Sequence, residues 1–233
     1  METLDDRFPR EPGAPGAPAS APGDPALGYV PRTFYPKHGK RLFDLLVGGV
    51  AFLLLSPLML LLALAIRLDS PGPTLYVSTR LGRRAEPFPF YKFRSMVRDA
   101  EGQRDRFLHL NEMDGPVFKI RNDPRVTRVG RLLRKTSLDE LPQLISVMRG
   151  DMSLVGPRPP IPAEVEQYEP WQRRRLSVTP GITCLWQVRG RNRISFQEWM
   201  KLDAEYIDTL SFRNDVKILC ATLPAVLRGA GAS

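Results

Sequence analysis

Histidine and cysteine are almost missing from this chain of 233 residues, which has only His38, His109, Cys184 and Cys220. So few of these side chains cannot build a disulfide framework or a zinc centre. Their scarcity points to a reducing compartment and, if a metal is used, to a hard ion held by oxygen. Negative charge is also in deficit, with 25 Asp and Glu against 34 Lys and Arg and a formal net charge of +9. That surplus implies an anionic partner, whether nucleic acid, anionic lipid or a phosphorylated substrate, and by itself does not choose among them. Bulky apolar residues are sparse in one place, residues 1 to about 36, where Pro, Gly and Ala dominate. The stretch reads as a disordered tail. It lacks the basic start and following apolar run of a signal peptide.

Apolar residues make up 42% of the whole, enough for the core of one ordinary domain with extra segments. The densest run is Leu45 to Ile66, about 22 residues without a charge, long enough as a helix to cross a bilayer core of roughly 30 Å. Ser56-Pro57 falls near its middle, where the proline ring removes a backbone donor and clashes with the preceding turn, so a kink is expected. Arg32, Lys37, Lys40 and Arg41 precede the run, and Arg67, Arg80, Arg83 and Arg84 follow it. The positive-inside tendency therefore draws both ends toward the cytoplasm. A helix that enters one leaflet, bends at Ser56-Pro57 and returns satisfies both flanks, whereas a plain kinked span satisfies one; the residues leave both open. A buried core helix is disfavoured by the uniform apolarity. The expected division is a tail at 1–36, a membrane segment at 37–68 and a cytoplasmic domain at 69–233.

Within that domain, Thr74 to Ser78 reads as a strand after the Ser70-Pro71-Gly72-Pro73 turn, and Phe88 to Met96 interleaves aromatics with Lys92 and Arg94. Such a stretch could stack on a nucleotide or sit at a lipid interface. A solvated helix is expected over residues 99 to 115. Another should start at Asp123-Pro124, with Val126, Val129, Leu132 and Leu133 on one face and Arg125, Arg128, Arg131 and Arg134 opposite, fit for a membrane surface or a diphosphate. Residues 163 to 176 read as a charged helix whose Arg173-Arg174-Arg175 lies at the surface, 182 to 188 as a strand, 196 to 210 as a helix, and 214 to 228 as an amphipathic helix.

The chemistry centres on Ser137-Leu138-Asp139-Glu140-Leu141, two adjacent carboxylates in basic surroundings. Ser137 with Glu140 three residues on is also a capping box, and Asp139 suits the positive end of a helix dipole. The helix so opened would run to Gly150, with Pro142 leaving the Leu138 carbonyl without its usual partner. Beyond it, Gly156-Pro157-Arg158-Pro159-Pro160 holds Arg158 on a stiff backbone, as a phosphate clamp requires, although a proline-rich turn with an incidental arginine has the same composition.

Taken in order, Lys40-Arg41-Leu42-Phe43-Asp44, Ser56-Pro57, Tyr91 to Met96, Ser137 to Leu141, Gly150-Asp151-Met152-Ser153, Gly156 to Pro159, Pro180-Gly181-Ile182-Thr183 and Gly190-Arg191-Asn192 resemble the bacterial sugar transferase family. These are the monotopic phosphoglycosyl transferases, which move a sugar 1-phosphate from a nucleotide diphosphate sugar to polyprenyl phosphate. The resemblance covers nearly everything from about Lys40 to the C-terminal helix. It implies an α+β, mostly helical fold: a re-entrant helix-break-helix at Ser56 and Pro57, then a small catalytic domain with amphipathic interfacial helices on the cytoplasmic face of the bacterial inner membrane. It further implies Asp139 as nucleophile, Glu140 as general base or Mg²⁺ partner, and Asp139 with Glu140 as the metal carboxylates. Lys92, Arg134 and Arg158 would handle phosphate, Arg191 the nucleotide, and Asp203 would be a further active-site acid. The implied partners are a UDP-sugar, polyprenyl phosphate and an anionic bilayer, with no nucleic acid; a homodimer is compatible.

The chain departs from the family in having Cys184-Leu185-Trp186 where Gly-Trp-Ala is usual. It also lacks the N-terminal membrane bundle of larger members, so it reads as a catalytic core with a disordered leader. The insertion from Gln103 to Lys119 resembles the exopolysaccharide branch and favours a hexose such as glucose or galactose. Two rival readings remain at this level: single-step transfer with Asp139 and Glu140 only binding Mg²⁺, and a non-catalytic basic membrane anchor.

Overall fold

In the computed structural model, residues 35–112, 116–118, 120, 122–189 and 194–227 are described. The tail assigned to residues 1–36 lies almost wholly outside them. The first long element, α1 (Lys40–Asp69), takes in the whole apolar run, and its helical pattern carries through Ser56-Pro57. Pro57 has no N–H to give the Leu53 carbonyl, and the Ser56 hydroxyl donates to that carbonyl instead, at 2.8 Å. The pair expected to break the helix is thus a repaired defect within it.

Both ends of α1 are tied to the same body of protein. At the start, Lys40 Nζ lies 2.6 Å from Asp215 Oδ2, and Arg41 donates to the Val147 and Met148 carbonyls. Asp44 accepts from the Ser153 hydroxyl and the Leu154 N–H at 2.9 and 3.0 Å. At the far end, Asp69 accepts the Val129 N–H at 3.1 Å, and buried Ile66 packs with Phe93 and Leu133. Between these ends Phe43, Ala51, Phe52, Leu55, Met59 and Leu62 lie against two core clusters. The opposite face is bare and apolar, with Leu53 and Leu54 each 72% exposed and Leu46, Val50, Leu60, Leu61 and Leu64 beside them. A face of that character suits lipid rather than water.

After α1 the chain turns at Gly72, where φ is 123° and the Arg94 guanidinium occupies the space a Cβ would need. Arg94 donates to the Ser70 and Pro71 carbonyls and so pins that turn. β1 (Leu75–Leu81) and β2 (Pro87–Phe93) form an antiparallel ribbon with Tyr76 opposite Lys92 and Ser78 opposite Phe90. The rings of Phe88, Phe90 and Phe93 are buried in the core, so the alternation read as a nucleotide or lipid face is instead a packed ribbon.

Next come α2 (Arg128–Thr136), α3 (Gln143–Arg149) and β3 (Ser153–Val155). They are followed by α4 (Pro162–Glu166), β4 (Gly181–Thr183), α5 (Leu185–Arg189), α6 (Phe196–Asp208) and α7 (Phe212–Leu227). β3 and β4 pair in parallel. The fold is α+β and mostly helical, as expected.

Several boundaries differ for local reasons. α2 starts at Thr127, whose hydroxyl caps Gly130 N–H, because Asp123 is already held by the backbone and guanidinium of buried Arg125. The expected helix over 99 to 115 is, within the described residues, a 3-10 segment at Arg104–Leu110. Glu169-Pro170 divides the charged helix into α4 and a 3-10 segment, Gln172–Ser177. The strand expected to reach Val188 ends at Thr183, where the chain coils into α5.

Candidate active site

α2 ends at Ser137, whose left-handed backbone (φ 57°, ψ 19°) turns the chain while its N–H reaches the Arg134 and Leu133 carbonyls. Leu138–Glu140 then form one 3-10 turn, and Pro142 opens α3. Ser137 makes no side-chain cap, so the capping box read from sequence is not formed. The Leu138 carbonyl, expected to lose its partner to Pro142, takes the Leu141 N–H at 3.3 Å through the tighter 3-10 spacing. Both carboxylates therefore sit on a short rigid link between two helices.

Lys92, from the ribbon, reaches this turn. Its Nζ is 2.7 Å from Glu140 Oε1 and 3.8 Å from Asp139 Oδ2. Arg134 stands at the end of α2, its Nε donating to the Ser95 hydroxyl at 2.9 Å. That bond depends on Gly130, where the helix presses so closely on the Ser95 carbonyl that a Cβ would lie 2.0 Å from it. Asp139 is 8% exposed. Burial raises its carboxyl above the ordinary range, Lys92 pulls it back, Glu140 pushes it up and Arg134 opposes that push. Glu140 holds the ammonium more tightly than Asp139 does, at 2.7 against 3.8 Å.

Carboxylate oxygens suit Mg²⁺, which commonly takes one or two carboxylates and completes its shell with water and substrate phosphate. Among the described residues no three His, Cys, Asp or Glu side chains converge as a preformed metal cage. Asp139 and Glu140 fit the open type of site.

Arg158 stands elsewhere, partly buried on the turn after β3, and makes no ion pair among the described residues. Arg80 joins that turn to the carboxylate side. Its guanidinium reaches the Pro159 carbonyl at 3.3 Å and lies 5.3 Å from the Phe90 ring, and Lys92 Nζ is 5.5 Å from the same ring. The Arg80 guanidinium has its charged form disfavoured by burial and by the like charge of Arg158.

Asp203 is 1% exposed in a third place, 2.8 Å from the guanidinium of Arg175. Burial lifts its pKa to about 6 despite Arg175 and Trp199. Arg191 lies outside the described residues. The structure thus unites Lys92, Arg134, Asp139 and Glu140, and sets Arg158 and Asp203 in neighbouring clusters.

Ser95, Arg80 and Arg175 were not singled out from sequence. Arg175 had a legible signal: Tyr168, Gln172, Arg175 and Leu176, at a buried helical face's spacing, are all buried. The surface assignment of Arg175 is corrected accordingly; at 4% exposure it is one of the core's polar residues.

The sequence model of the bacterial sugar transferases matches residues 35–229. The galactosyl transferase CpsE of Streptococcus agalactiae is 47% identical over 194 residues, covering 83% of this chain and 43% of that protein. The undecaprenyl-phosphate galactose phosphotransferase of Salmonella typhimurium is 43% identical over 197 residues, covering 83% and 41%. The exopolysaccharide production protein ExoY of Rhizobium meliloti is 40% identical over 197 residues, covering 83% and 87%. The chain therefore spans under half of the first two relatives and most of the third.

Proposed function

Because the chain belongs to the bacterial sugar transferase family, we propose that it transfers a hexose 1-phosphate from a UDP-sugar to polyprenyl phosphate and releases UMP. In this reading it works at the inner-membrane surface of a bacterium, starting an exopolysaccharide or related glycan. The observation that carries the reading is the single 3-10 turn that presents Asp139 beside Glu140, Lys92 and Arg134.

An Asp139 carboxylate oxygen attacks the sugar-bearing phosphorus. A P–O bond to Asp139 forms as the bond to UMP breaks, and UMP leaves with its electron pair. An oxygen of polyprenyl phosphate then attacks the same phosphorus, forming the lipid diphosphate and returning Asp139 as a carboxylate. Lys92 and Arg134 hold the substrate's phosphate charge, and Glu140 keeps Lys92 in place before substrate arrives. Mg²⁺ held by Asp139, Glu140 and substrate oxygens would neutralise diphosphate charge. Arg158 clamps phosphate from the neighbouring turn, and Arg191 binds the nucleotide.

We read α1 as re-entrant, with both ends on the cytoplasmic face. Support comes from Lys40, Arg41 and Asp44 at one end and Ile66 and Asp69 at the other, all fastened to one domain. A helix fastened at both ends to one domain fits a re-entrant path better than a span.

Purified Asp139→Asn, assayed for UMP release from UDP-glucose and UDP-galactose with undecaprenyl phosphate, is expected to lose on the order of 10³-fold or more in turnover. Near wild-type turnover would sink the nucleophile assignment. Wild type quenched without acceptor should carry a hexose-phosphate adduct on the peptide containing Asp139. Its absence under turnover conditions would favour single-step transfer. Survival of salt-sensitive lipid binding as the sole activity would favour the basic anchor.

A further inference from the structure

The turn that carries Arg158 has no loose backbone. Its four consecutive carbonyls, Pro157 to Pro160, accept in order from Gly181 N–H at 2.9 Å, Arg175 Nη2 at 2.8 Å, Arg80 Nη1 at 3.3 Å and Leu81 N–H at 2.9 Å. Just before it, the Val155 carbonyl takes the Tyr206 hydroxyl at 3.0 Å and Gly156 N–H donates to Thr183. Proline at 157, 159 and 160 leaves Arg158 as the one residue of the four with an N–H. What the turn can offer a ligand is therefore chiefly the Arg158 side chain, aimed by donors from β1, β4 and the segment after α4.

Arg175 is the most constrained of those donors. Its Nη2 donates to the Arg158 carbonyl at 2.8 Å and also lies 2.8 Å from Asp203 Oδ2, an ion pair outside hydrogen-bond geometry. Nη1 donates to the Tyr168 hydroxyl at 2.8 Å, and the guanidinium carbon lies 5.0 Å from the Trp199 ring. Arg175 and Asp203 are both almost fully buried, so neither offers a surface to a substrate. Asp203 contacts the guanidinium, the guanidinium contacts the Arg158 main chain, and only Arg158 remains partly open.

We infer that Arg175 and Asp203 are positioning residues that act on phosphate handling solely through the main chain of Arg158, with Asp203 anchoring the guanidinium that holds that carbonyl. The inference rests on the reading of Arg158 as a phosphate clamp. A planar fork is needed to reach the Tyr168 hydroxyl from Nη1 and the Arg158 carbonyl from Nη2 at once, so a lysine at 175 keeps a positive charge near Asp203 and loses the hold on Arg158.

The test is a set of cycles in the full-length chain in detergent: Asp203→Asn, Arg175→Lys and the paired Asp203→Leu/Arg175→Met, each made in wild type and in Arg158→Ala. UMP release from the preferred UDP-hexose with undecaprenyl phosphate is measured alongside calorimetric binding of that UDP-hexose. The binding data give the same comparison if Arg158→Ala turnover falls below detection. Near-UV circular dichroism selects folded variants, and the paired apolar swap removes both buried charges at once, so that a folded protein is tested even if the single changes unfold. In the wild-type background each change should lower kcat/KM by about 10–100-fold, as a clamp displaced by about 1 Å would. In Arg158→Ala the same changes should add less than twofold to the loss, and Asp203→Asn should not abolish turnover where Arg158→Ala permits it. Losses that multiply on top of Arg158→Ala overturn the inference and return Asp203 to a direct role. Wild-type binding and turnover in Arg158→Ala alone would instead refute the clamp reading, and the inference with it.

Discussion

Replacing Gly130 by alanine sets two physical rules against each other. Gly130 lies in the first turn of α2, where helix propensity favours alanine over glycine by about 0.8–1.0 kcal/mol. A Cβ there, however, falls 2.0 Å from the Ser95 carbonyl oxygen, 2.6 Å from its carbon and 2.8 Å from its Cα. Carbon and oxygen rest comfortably at about 3.3 Å or more, so the helix must back away by about 1 Å. That retreat stretches the Arg134 bond to the Ser95 hydroxyl from 2.9 Å and the Thr127 N–H bond to the Ser95 carbonyl from 3.1 Å. It also carries Ser137 and the carboxylate turn with it. Overpacking of this kind costs about 1–3 kcal/mol and outweighs propensity. Misplacing a reacting group by about 1 Å costs on the order of 10²-fold in rate. The expected outcome in a thermal melt and a UMP-release assay is a Tm lower by up to roughly 8 °C and turnover down about 100-fold. Gly49→Ala is the control: its new methyl would meet nothing nearer than Met148 Cε at 3.7 Å, and it should change neither reading appreciably. A Gly130→Ala protein with raised Tm and wild-type turnover would refute the reasoning, because α2 could not then be pressed on Ser95.

Lys40→Met leaves Asp215 buried with two tyrosine hydroxyls but no cation, and should cost about 3–5 kcal/mol of stability; an unchanged melting curve would contradict it. Lys92→Met removes the leading influence that lowers the Asp139 pKa, so the acidic limb of the pH–rate profile should move to higher pH as overall activity falls; a limb that stays put would count against Lys92 acting on Asp139. Asp203 has its pKa raised from 3.8 to about 6. The folded state therefore keeps a proton that the unfolded chain gives up, and the group's stabilising contribution is complete below 3.8 and lost as pH rises to about 6. The amount is on the order of 3 kcal/mol. Tyr168, raised to about 12, and Cys184, raised well above 9.0, do not titrate in that window. Comparing Tm against pH should show a steeper fall across that window in the wild type than in Asp203→Asn, because the raised carboxyl of Asp139 contributes to both proteins alike.

The apolar run of α1 and the basic residues around it were plain in the sequence, because length and hydropathy are local properties. The face that α1 buries was not, since it depends on Val147, Leu154 and Leu133, which lie far along the chain from the α1 residues they touch. The carboxylate pair was legible, but its geometry was misread. Ser137-x-x-Glu140 matches a helix start, while the structure uses Ser137 to finish the preceding helix, a choice fixed by its N–H bonds to Arg134 and Leu133. Buried cations were the least readable class. Arg94, Arg125 and Arg175 look like surface charge in a pattern, and each is buried because a specific set of carbonyls or a carboxylate waits for it. The residues around Lys92 offer a cation between aromatics but not its place beside the carboxylates, since that alternation belongs to a ribbon whose aromatic rings face the core.

The attachment of α1 at both ends has a consequence for how this protein can change over generations. An ordinary spanning helix drifts freely so long as it stays greasy and long enough. Here each added residue would advance the far end by about 1.5 Å and rotate it by about 100°. A single insertion between Gly48 and Met59 would therefore keep the hydropathy and swing Ile66 away from Phe93 and Leu133. Leu138 and Leu141, on either side of the two carboxylates, pack against that same cluster. The helix thus works as a spacer of fixed gauge between its two attachments, one of which carries the carboxylate turn. Its length should tolerate fewer insertions and deletions than its greasy composition suggests.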